Sequence, residues 1–265
     1  DIKTDLESPE KMLRLLQGDV GSGKTIVGFL AMLSLVEGGE QAALMVPTEI
    51  LARQHYARLQ PLCDQLGVSI ALLTGRDKGA SREAILTGLA DGSTHLVVGT
   101  HALFQEGVSF HKLGLAVIDE QHRFGVNQRL ALANKGEATD MLVMTATPIP
   151  RTLVLTYFGD MDVSNLREKP PGRKPIDTRI MSLDKLDTVT QSLARAMSEG
   201  NRVYWVCPLV TESEDLDIAA AEERFASLKS YYGDQVGLVH GKLPPRAQDA
   251  AMAAFAEGIT KILVS

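Results

Sequence analysis

Short apolar runs alternate with longer amphipathic stretches along the first part of the chain. The apolar runs are bounded by Gly, Pro, Thr or Asp, as buried strands are, and the stretches between them have helical spacing. Continuous apolar strands separated by helices predict a parallel sheet covered on both faces, an α/β fold. The predicted strands are Met12–Gln17, Ala42–Val46, Val68–Leu73, Leu96–Gly99, Leu115–Ile118 and Met141–Met144, and the predicted helices are Thr25–Glu37, Glu49–Leu66 and Ser81–Ala90.

The alternation breaks at Arg167–Pro175, where three prolines and a glycine stand among charged residues. Such a run cannot continue a helix or a central strand. We therefore predict a linker at 167–175 between a first domain, 1–166, and a second domain, 176–265. Because the chain ends inside an apolar strand, the second domain is expected to be incomplete. Its predicted strands are Ile176–Met181, Arg202–Cys207, Val236–Val239 and Lys261–Val264, its helices are Lys185–Glu199, Ile218–Tyr231 and Pro245–Ala256, and a loop holds Glu212, Glu214, Asp215 and Asp217.

The amino-acid composition is that of an ordinary globular protein and excludes few classes of function. Of the 265 residues, 45% are apolar and 23% are charged, and the net charge is -6, which argues against a generally basic nucleic-acid-binding surface. Any nucleic-acid contact must then be local. The two cysteines, Cys63 and Cys207, lack the short spacings of a zinc site and are expected to be reduced thiols in a cytoplasmic protein. No apolar run reaches the roughly 18 residues that span a bilayer.

The first strand runs directly into a candidate phosphate loop, Gly18-Asp19-Val20-Gly21-Ser22-Gly23-Lys24-Thr25. This run fits the pattern G-x-x-x-x-G-K-[ST] in the strand–loop–helix context that the pattern requires. Glycines let successive backbone N–H groups point at a phosphate, and the helix N-terminus adds partial positive charge. Lys24 is predicted to reach the β- and γ-phosphates and Thr25 to ligate Mg²⁺. The sequence therefore predicts a nucleotide site.

A later strand ends in Asp119-Glu120, at the sheet edge where open α/β sheets bind ligands. Asp119 is predicted to hold Mg²⁺ through water, and Glu120 to orient or deprotonate the attacking water. The alternative, two solvated acids after a strand, is disfavoured by the phosphate loop upstream. With Gln121 and His122 the run has the form of the D-E-x-H box of helicase superfamily two. These two residues would link the γ-phosphate state to the domain interface.

The strand Met141–Met144 leads into Thr145-Ala146-Thr147, which resembles the helicase T-A-T coupling motif. Thr145 and Thr147 could hydrogen-bond the Asp-Glu box, or they could form an ordinary turn. Three further loops follow strands and offer hydroxyls, helix N-termini or an arginine to phosphates. Their candidate nucleic-acid-contacting residues are Thr48, Arg76, Thr100 and His101.

Taken together, the motifs resemble the RecG family of branched-DNA helicases over nearly the whole chain. The stretches that carry the resemblance are Leu16–Thr25, Leu73–Gly79, Asp119–Val126, Thr145–Leu153, Tyr204–Leu209 and Gly237–Gly241. The transcription-repair coupling factor shares the H-R-F-G-V and T-P-I-P-R-T-L runs, but Gln121 and the run Thr74–Gly79 favour RecG.

The resemblance implies two RecA-like P-loop domains that use ATP and Mg²⁺ to move on double-stranded DNA. It implies remodelling of stalled forks and Holliday junctions in repair and recombination, by a monomer. His240 and Gly241 become further candidate DNA contacts. Because the chain ends before the arginine-finger motif of such motors, we expect it to be poorly active alone. An ATP-dependent DNA-binding module without turnover is the alternative from another class; a small-molecule kinase shares only the phosphate loop.

Overall fold

The chain folds into two units, Asp1–Lys174 and Pro175–Ser265, in a computed structural model that describes residues 1–105, 107–119, 139–147, 161–168, 176–207 and 214–265. The boundary between the units falls within the proline-rich run. Residues 169–175 of the predicted linker lie outside the described residues, so the linker and the domain boundaries stay predictions.

The first unit is built on one sheet of seven parallel strands in the order β3-β4-β2-β5-β6-β1-β7. The strands are β1 Leu13–Gly18, β2 Gln41–Met45, β3 Ile70–Leu73, β4 Leu96–Gly99, β5 Leu113–Asp119, β6 Asp140–Thr145 and β7 Asp162–Leu166. The helices are α1 Ile2–Leu6, α2 Lys24–Glu37, α3 Glu49–Leu66 and α4 Gly79–Asp91, and a 3₁₀ turn covers His101–Phe104.

Both faces of this sheet are buried, which explains the unbroken apolar runs in the sequence. Successive side chains of a strand point to opposite faces. Leu16 accordingly belongs to the core cluster that contains Phe29 and Leu59, whereas its neighbour Leu15 belongs to a second cluster with Ile118. The predicted parallel α/β sheet is confirmed.

The second unit has a smaller parallel sheet in the order β8-β10-β9. Its strands are β8 Val203–Trp205, β9 Val236–Leu238 and β10 Ile262–Val264, its helices are α5 Leu186–Ser198, α6 Glu214–Tyr232 and α7 Pro245–Ala256, and 3₁₀ turns cover Leu183–Lys185 and Gly233–Gln235. Its own core cluster is centred on Leu193, Leu228 and Ile262. Among the described helices of both units, none is both long and apolar enough to cross a bilayer.

Two predictions for the second domain are wrong. The run Ile176–Met181 forms no strand and Ile180 is fully exposed, since Asp177–Arg179 make the run largely polar and no neighbouring strand pairs with it in the described part of the chain. Glu214, Asp215 and Asp217 belong to α6 instead of a loop. Acidic residues in the first turn of a helix are stabilised by its macrodipole, so an acidic run can begin a helix as readily as it can form a loop. Glu212 lies outside the described residues.

Candidate functional site

The phosphate loop is a tight connection between β1 and α2. The Ser22 N–H donates to the Asp19 carbonyl at 3.1 Å, and α2 begins at Lys24. Gly23, at the helix N-cap, has φ +99°, a left-handed conformation that favours glycine. A Cβ on Gly18 would lie 2.5 Å from the Ser22 Oγ, so this glycine lets the loop fold close against the strand end.

Lys24 is buried, and its ammonium group is held by the loop itself. The Nζ atom donates to the Gly18 carbonyl at 2.7 Å and to the Asp19 carbonyl at 3.0 Å. Both acceptors are neutral backbone oxygens. Hydrogen bonds between a cation and an anion are stronger than those to neutral acceptors, so a phosphate in the loop would compete well for this ammonium.

An open pocket of about 370 Å³ lies beside the phosphate loop, in the usual volume range of ligand sites. The loop and the first turn of α2, including Lys24 and Thr25, form one wall. One face of α3, including His55, and the strand-end residues Asp119 and Ala146 form the rest. The structure therefore brings Lys24, Thr25 and Asp119, which are far apart in sequence, to one pocket.

The carboxylate of Asp119 is partly buried at the end of β5, and a histidine contacts it. His55 Nε2 lies 3.2 Å from Asp119 Oδ2, and their side chains are 8% and 14% exposed. Sequence reasoning missed His55. The available signal was its place on α3, where the buried residues Ala52, His55, Leu59 and Cys63 form one helical stripe in which His55 is the basic side chain.

The pocket suits a magnesium nucleotide. Mg²⁺ typically keeps several waters and is bound by one or two protein oxygens together with substrate phosphates. The Thr25 hydroxyl and the Asp119 carboxylate are oxygen donors of this kind, and both line the pocket. No group of three or more His, Cys, Asp or Glu side chains that could hold a metal by themselves occurs among the described residues, so a cation in this pocket would also need phosphate and water ligands.

Thr145 is the last residue of β6 and Thr147 follows it; the neighbours of β6 in the sheet are β5 and β1. Their two hydroxyls are 3.0 Å apart, and the Thr147 N–H donates to the Thr145 Oγ1 at 3.2 Å. The Gln17 side-chain amide of β1 donates to the Thr147 carbonyl at 3.3 Å. The pair thus fixes the turn after β6 against the strand that carries the phosphate loop. Its coupling role stays a prediction.

Three predicted catalytic residues, Glu120, Gln121 and His122, lie outside the described residues. Their predicted roles, water activation for Glu120 and coupling to the domain interface for Gln121 and His122, stay predictions. Asp119, immediately before them, is the last residue of β5.

The predicted DNA-contacting loops of the first unit lie side by side. They follow β3, β4 and β2, which are consecutive neighbours in a parallel sheet. An ion pair joins the loop after β3 to the start of α3, because Arg76 Nε lies 2.5 Å from Glu49 Oε2. Thr48 caps α3, its hydroxyl accepting from the Leu51 N–H at 3.3 Å. His101 is exposed.

Thr100 is buried directly after the end of β4. Its side chain is 1% exposed and its hydroxyl is buried without a partner among the described atoms. The Thr100 N–H donates to the Leu73 carbonyl of the neighbouring strand, so the backbone continues the sheet for one residue and the side chain turns inward. The predicted phosphate contact from this hydroxyl stays a prediction.

His240 and Gly241 follow β9 in the second unit. The His240 side chain is 10% exposed, and its Nε2 lies 3.6 Å from Glu222 Oε1, too far for a hydrogen bond. Gly241 is exposed. Of the two, Gly241 is the more accessible, through its backbone, and DNA contact at this position stays a prediction.

Comparison with known proteins places this arrangement in a family. The model of the DEAD/DEAH box helicase family matches residues 4–155, more than half of the chain. The chain belongs to this family. It is 49% identical to the ATP-dependent DNA helicase RecG of Synechocystis sp. and 50% identical to that of Streptococcus pneumoniae, over 100% of the chain and 32% and 40% of those proteins. The chain thus spans well under half of the length of these curated relatives.

Solved structures agree. A structure of RecG bound to a three-way DNA junction is 43% identical, with a TM-score of 0.78, over 100% of this chain and 34% of that chain. The DUF1998 helicase MrfA bound to DNA is 17% identical with a TM-score of 0.69, over 100% of this chain and 41% of that chain, and indicates the fold alone. The resemblance to RecG and the RecA-like helicase fold are confirmed.

Proposed function

We propose that this chain is the ATP-driven motor core of a DNA helicase or translocase that remodels branched DNA, such as stalled forks and Holliday junctions, in repair and recombination. One observation carries the proposal: Lys24, Thr25 and Asp119 line a single pocket. The names of the relatives, ATP-dependent DNA helicase RecG, support ATP and DNA as ligands. The related structure with a three-way junction supports a branched substrate.

In the proposed ATPase site, the backbone N–H groups of residues 19–25 and the Lys24 ammonium bind the phosphates. Thr25 and Asp119 would hold Mg²⁺, which would supply charge neutralisation to the phosphates. Glu120 orients or deprotonates the attacking water, and Gln121 and His122 respond to the γ-phosphate. A monomer is what the resemblance to the RecG family implies, and the bacterial RecG relatives support a cytoplasmic location.

The strand order supports coupling between the two ligands. The nucleotide residues follow β5, β6 and β1, and the predicted DNA loops follow β3, β4 and β2. The two groups therefore occupy adjacent halves of one sheet edge and meet where β2 pairs with β5. Nucleotide-dependent changes at the pocket can reach the DNA loops through a short path of packed elements.

The proposal is tested by measuring whether nucleotide state changes DNA affinity. The dissociation constant for a fluorescent three-way junction is measured without nucleotide, with MgADP and with a non-hydrolysable MgATP analogue. We expect a difference of about 5-fold or more between states, the range of typical coupling free energies. Linear duplex of equal length is the substrate control. Equal junction affinity in all three states, or no binding of MgATP, would contradict the proposal.

Hydrolysis is measured separately, by phosphate release. Release above background, lost in the Lys24→Ala variant, supports a motor. Nucleotide-dependent DNA affinity without any release would favour the alternative, a DNA-binding module that does not turn over. Phosphate transfer to a small metabolite without any DNA affinity would favour a kinase.

A further inference from the structure

A buried histidine contacts the carboxylate that the proposed function assigns to Mg²⁺. His55 is 7% exposed, and its Nε2 lies 3.2 Å from Asp119 Oδ2. The two residues are far apart in sequence and on different elements, α3 and β5. The contact lies in the wall of the nucleotide pocket, where both residues are lining residues.

The surroundings of the ring indicate which nitrogen carries the proton. His55 Nδ1 is buried and has no hydrogen-bond partner among the described atoms. In the neutral tautomer with the proton on Nε2, the Nε2–H donates to Asp119 and Nδ1 has only a lone pair. The other neutral tautomer would bury an N–H without an acceptor and place two lone pairs against each other. The hydrogen-bond network therefore assigns Nε2–H as a donor to Asp119 Oδ2.

Two features of α3 hold the imidazole in this position. His55 lies on the stripe of α3 that packs into the core, between the buried Ala52 and Leu59. The start of the helix is fixed by its Thr48 cap. Because β2, which leads into α3, pairs with β5, the helix face carrying His55 comes close to the end of β5.

We propose that His55 is a positioning residue for the magnesium site. Its hydrogen bond fixes one oxygen of the Asp119 carboxylate, so the other oxygen is turned towards the cation or a water molecule bound to it. Hydrogen-bonding partners of metal-ligating carboxylates set the orientation of those ligands, and losing such a partner typically weakens metal affinity or activity by about 10- to 100-fold. This inference rests on the proposed function, since it needs Asp119 to act on Mg²⁺.

The test compares two substitutions that separate the donor from the volume of the ring. His55→Phe keeps a planar ring without a donor, and His55→Gln places an amide N–H close to the position of Nε2. The Mg²⁺ concentration that half-saturates binding of a fluorescent ATP analogue is measured in the purified chain. We expect about a 10- to 100-fold rise for His55→Phe and a change of only a few-fold for His55→Gln. His111→Phe, at an exposed histidine of the same unit, is the matched control.

A double-mutant cycle distinguishes positioning from a general packing defect. In the Asp119→Ala background, which has no acceptor for His55, His55→Phe should cause no further rise in the Mg²⁺ requirement, because both changes remove one interaction. Binding of the analogue in EDTA, which depends on the phosphate loop alone, should be the same in wild type and His55→Phe. If His55→Phe does not bind the analogue in EDTA, His55→Ala is used in its place, and it must likewise bind the analogue in EDTA as wild type does.

The outcomes separate this inference from the function on which it rests. Wild-type protein that fails to bind the analogue with Mg²⁺ would overturn the proposed function. Wild-type protein that binds it, together with an unchanged Mg²⁺ requirement in His55→Phe or additive effects in the cycle, would overturn the positioning role alone.

Discussion

Among the single side chains that line the nucleotide pocket, Lys24 is expected to have the most direct effect on nucleotide affinity. We predict that Lys24→Ala weakens MgATP binding by about 10- to 100-fold, since hydrogen bonds to charged groups contribute about 1.5–3 kcal/mol. Titration with a fluorescent ATP analogue measures the change. Lys3→Ala, at an exposed lysine of the same unit, is the control and should bind as wild type does. An unchanged affinity in Lys24→Ala would remove this residue from the site.

Among single residues, the sequence predicted those that belong to a contiguous motif. It missed a residue whose place in the site depends on a contact between distant parts of the chain. The phosphate loop could be read because its spacing and its strand–loop–helix context are contiguous in the chain. His55 could not, because its partner Asp119 is brought to it by strand order, which the apolar pattern does not specify. The burial of Thr100 was not predicted, because a hydroxyl after a strand can face solvent or the core, and the pattern alone does not distinguish the two.

At the scale of elements, the bounds of a helix were predicted correctly where the sequence contains capping residues at both of its ends. The bounds of α3 were predicted as Glu49–Leu66 and are observed there, because Thr48 caps the start and Gly67, at φ +68°, ends the helix. The strand β7 was not predicted. Its residues, Asp162–Leu166, are polar and half exposed at the sheet edge, so they lack the apolar run that marks the central strands. Conversely, Ile176–Met181 was predicted as a strand from three apolar residues, but Asp177–Arg179 interrupt them and no described strand pairs with the run.

The junction between β1 and β6 gives a prediction on stability. Asp140 Oδ1 accepts from the Met12 N–H at 2.7 Å. Burial raises the pKa of Asp140 above its ordinary 3.8, Glu40 and Asp5 add to the rise, and the hydrogen bond from Met12 partly offsets it. When the pKa of a carboxyl is higher in the folded state than in the unfolded state, the free energy of unfolding decreases as pH rises from the unfolded pKa through the folded pKa. At neutral pH the charged form of Asp140 is therefore disfavoured by folding.

We predict that Asp140→Asn, with its amide oxygen as the acceptor for Met12, raises the melting temperature of the first unit at pH 7. The gain should shrink as pH falls and vanish below the ordinary carboxyl pKa, where wild type is protonated too. Asp140→Ala should lose about 1 kcal/mol, or roughly 2–4 °C, because the Met12 N–H loses its acceptor. Calorimetric scans between pH 3 and pH 8 measure both variants. A gain for Asp140→Asn that is constant across this range would contradict the charge argument.

At the scale of the whole molecule, each unit has its own sheet and its own core. The clusters that pack on the seven-stranded sheet contain residues of the first unit, and the cluster around Leu193 and Leu228 contains residues of the second. The restart of the alternating pattern after the proline-rich run predicted this division in outline. The order of the strands within each sheet could not be predicted, because several crossovers are compatible with one pattern of apolar runs.

The two cysteines allow the stability of each unit to be followed separately. Cys63 is fully buried on α3 of the first unit, where burial, with a smaller effect of Asp64, raises the pKa of its thiol to about 11. Cys207 is half-buried in the second unit, and burial raises its pKa as well. A buried thiol reacts with an alkylating reagent only when the structure around it opens, so labelling of Cys63 reports opening of the first unit.

We predict that MgATP slows alkylation of Cys63 and leaves Cys207 unchanged. The nucleotide pocket lies in the first unit, and ligand at 100 times its dissociation constant stabilises the folded state by about 2.7 kcal/mol. When reclosing outpaces labelling, that stabilisation corresponds to a decrease of about 100-fold in the Cys63 rate. Peptide mass spectrometry after timed labelling measures both sites, and the Lys24→Ala variant should show no protection. Equal slowing at both cysteines would show that the units open together, and the two cores would then act as one cooperative structure.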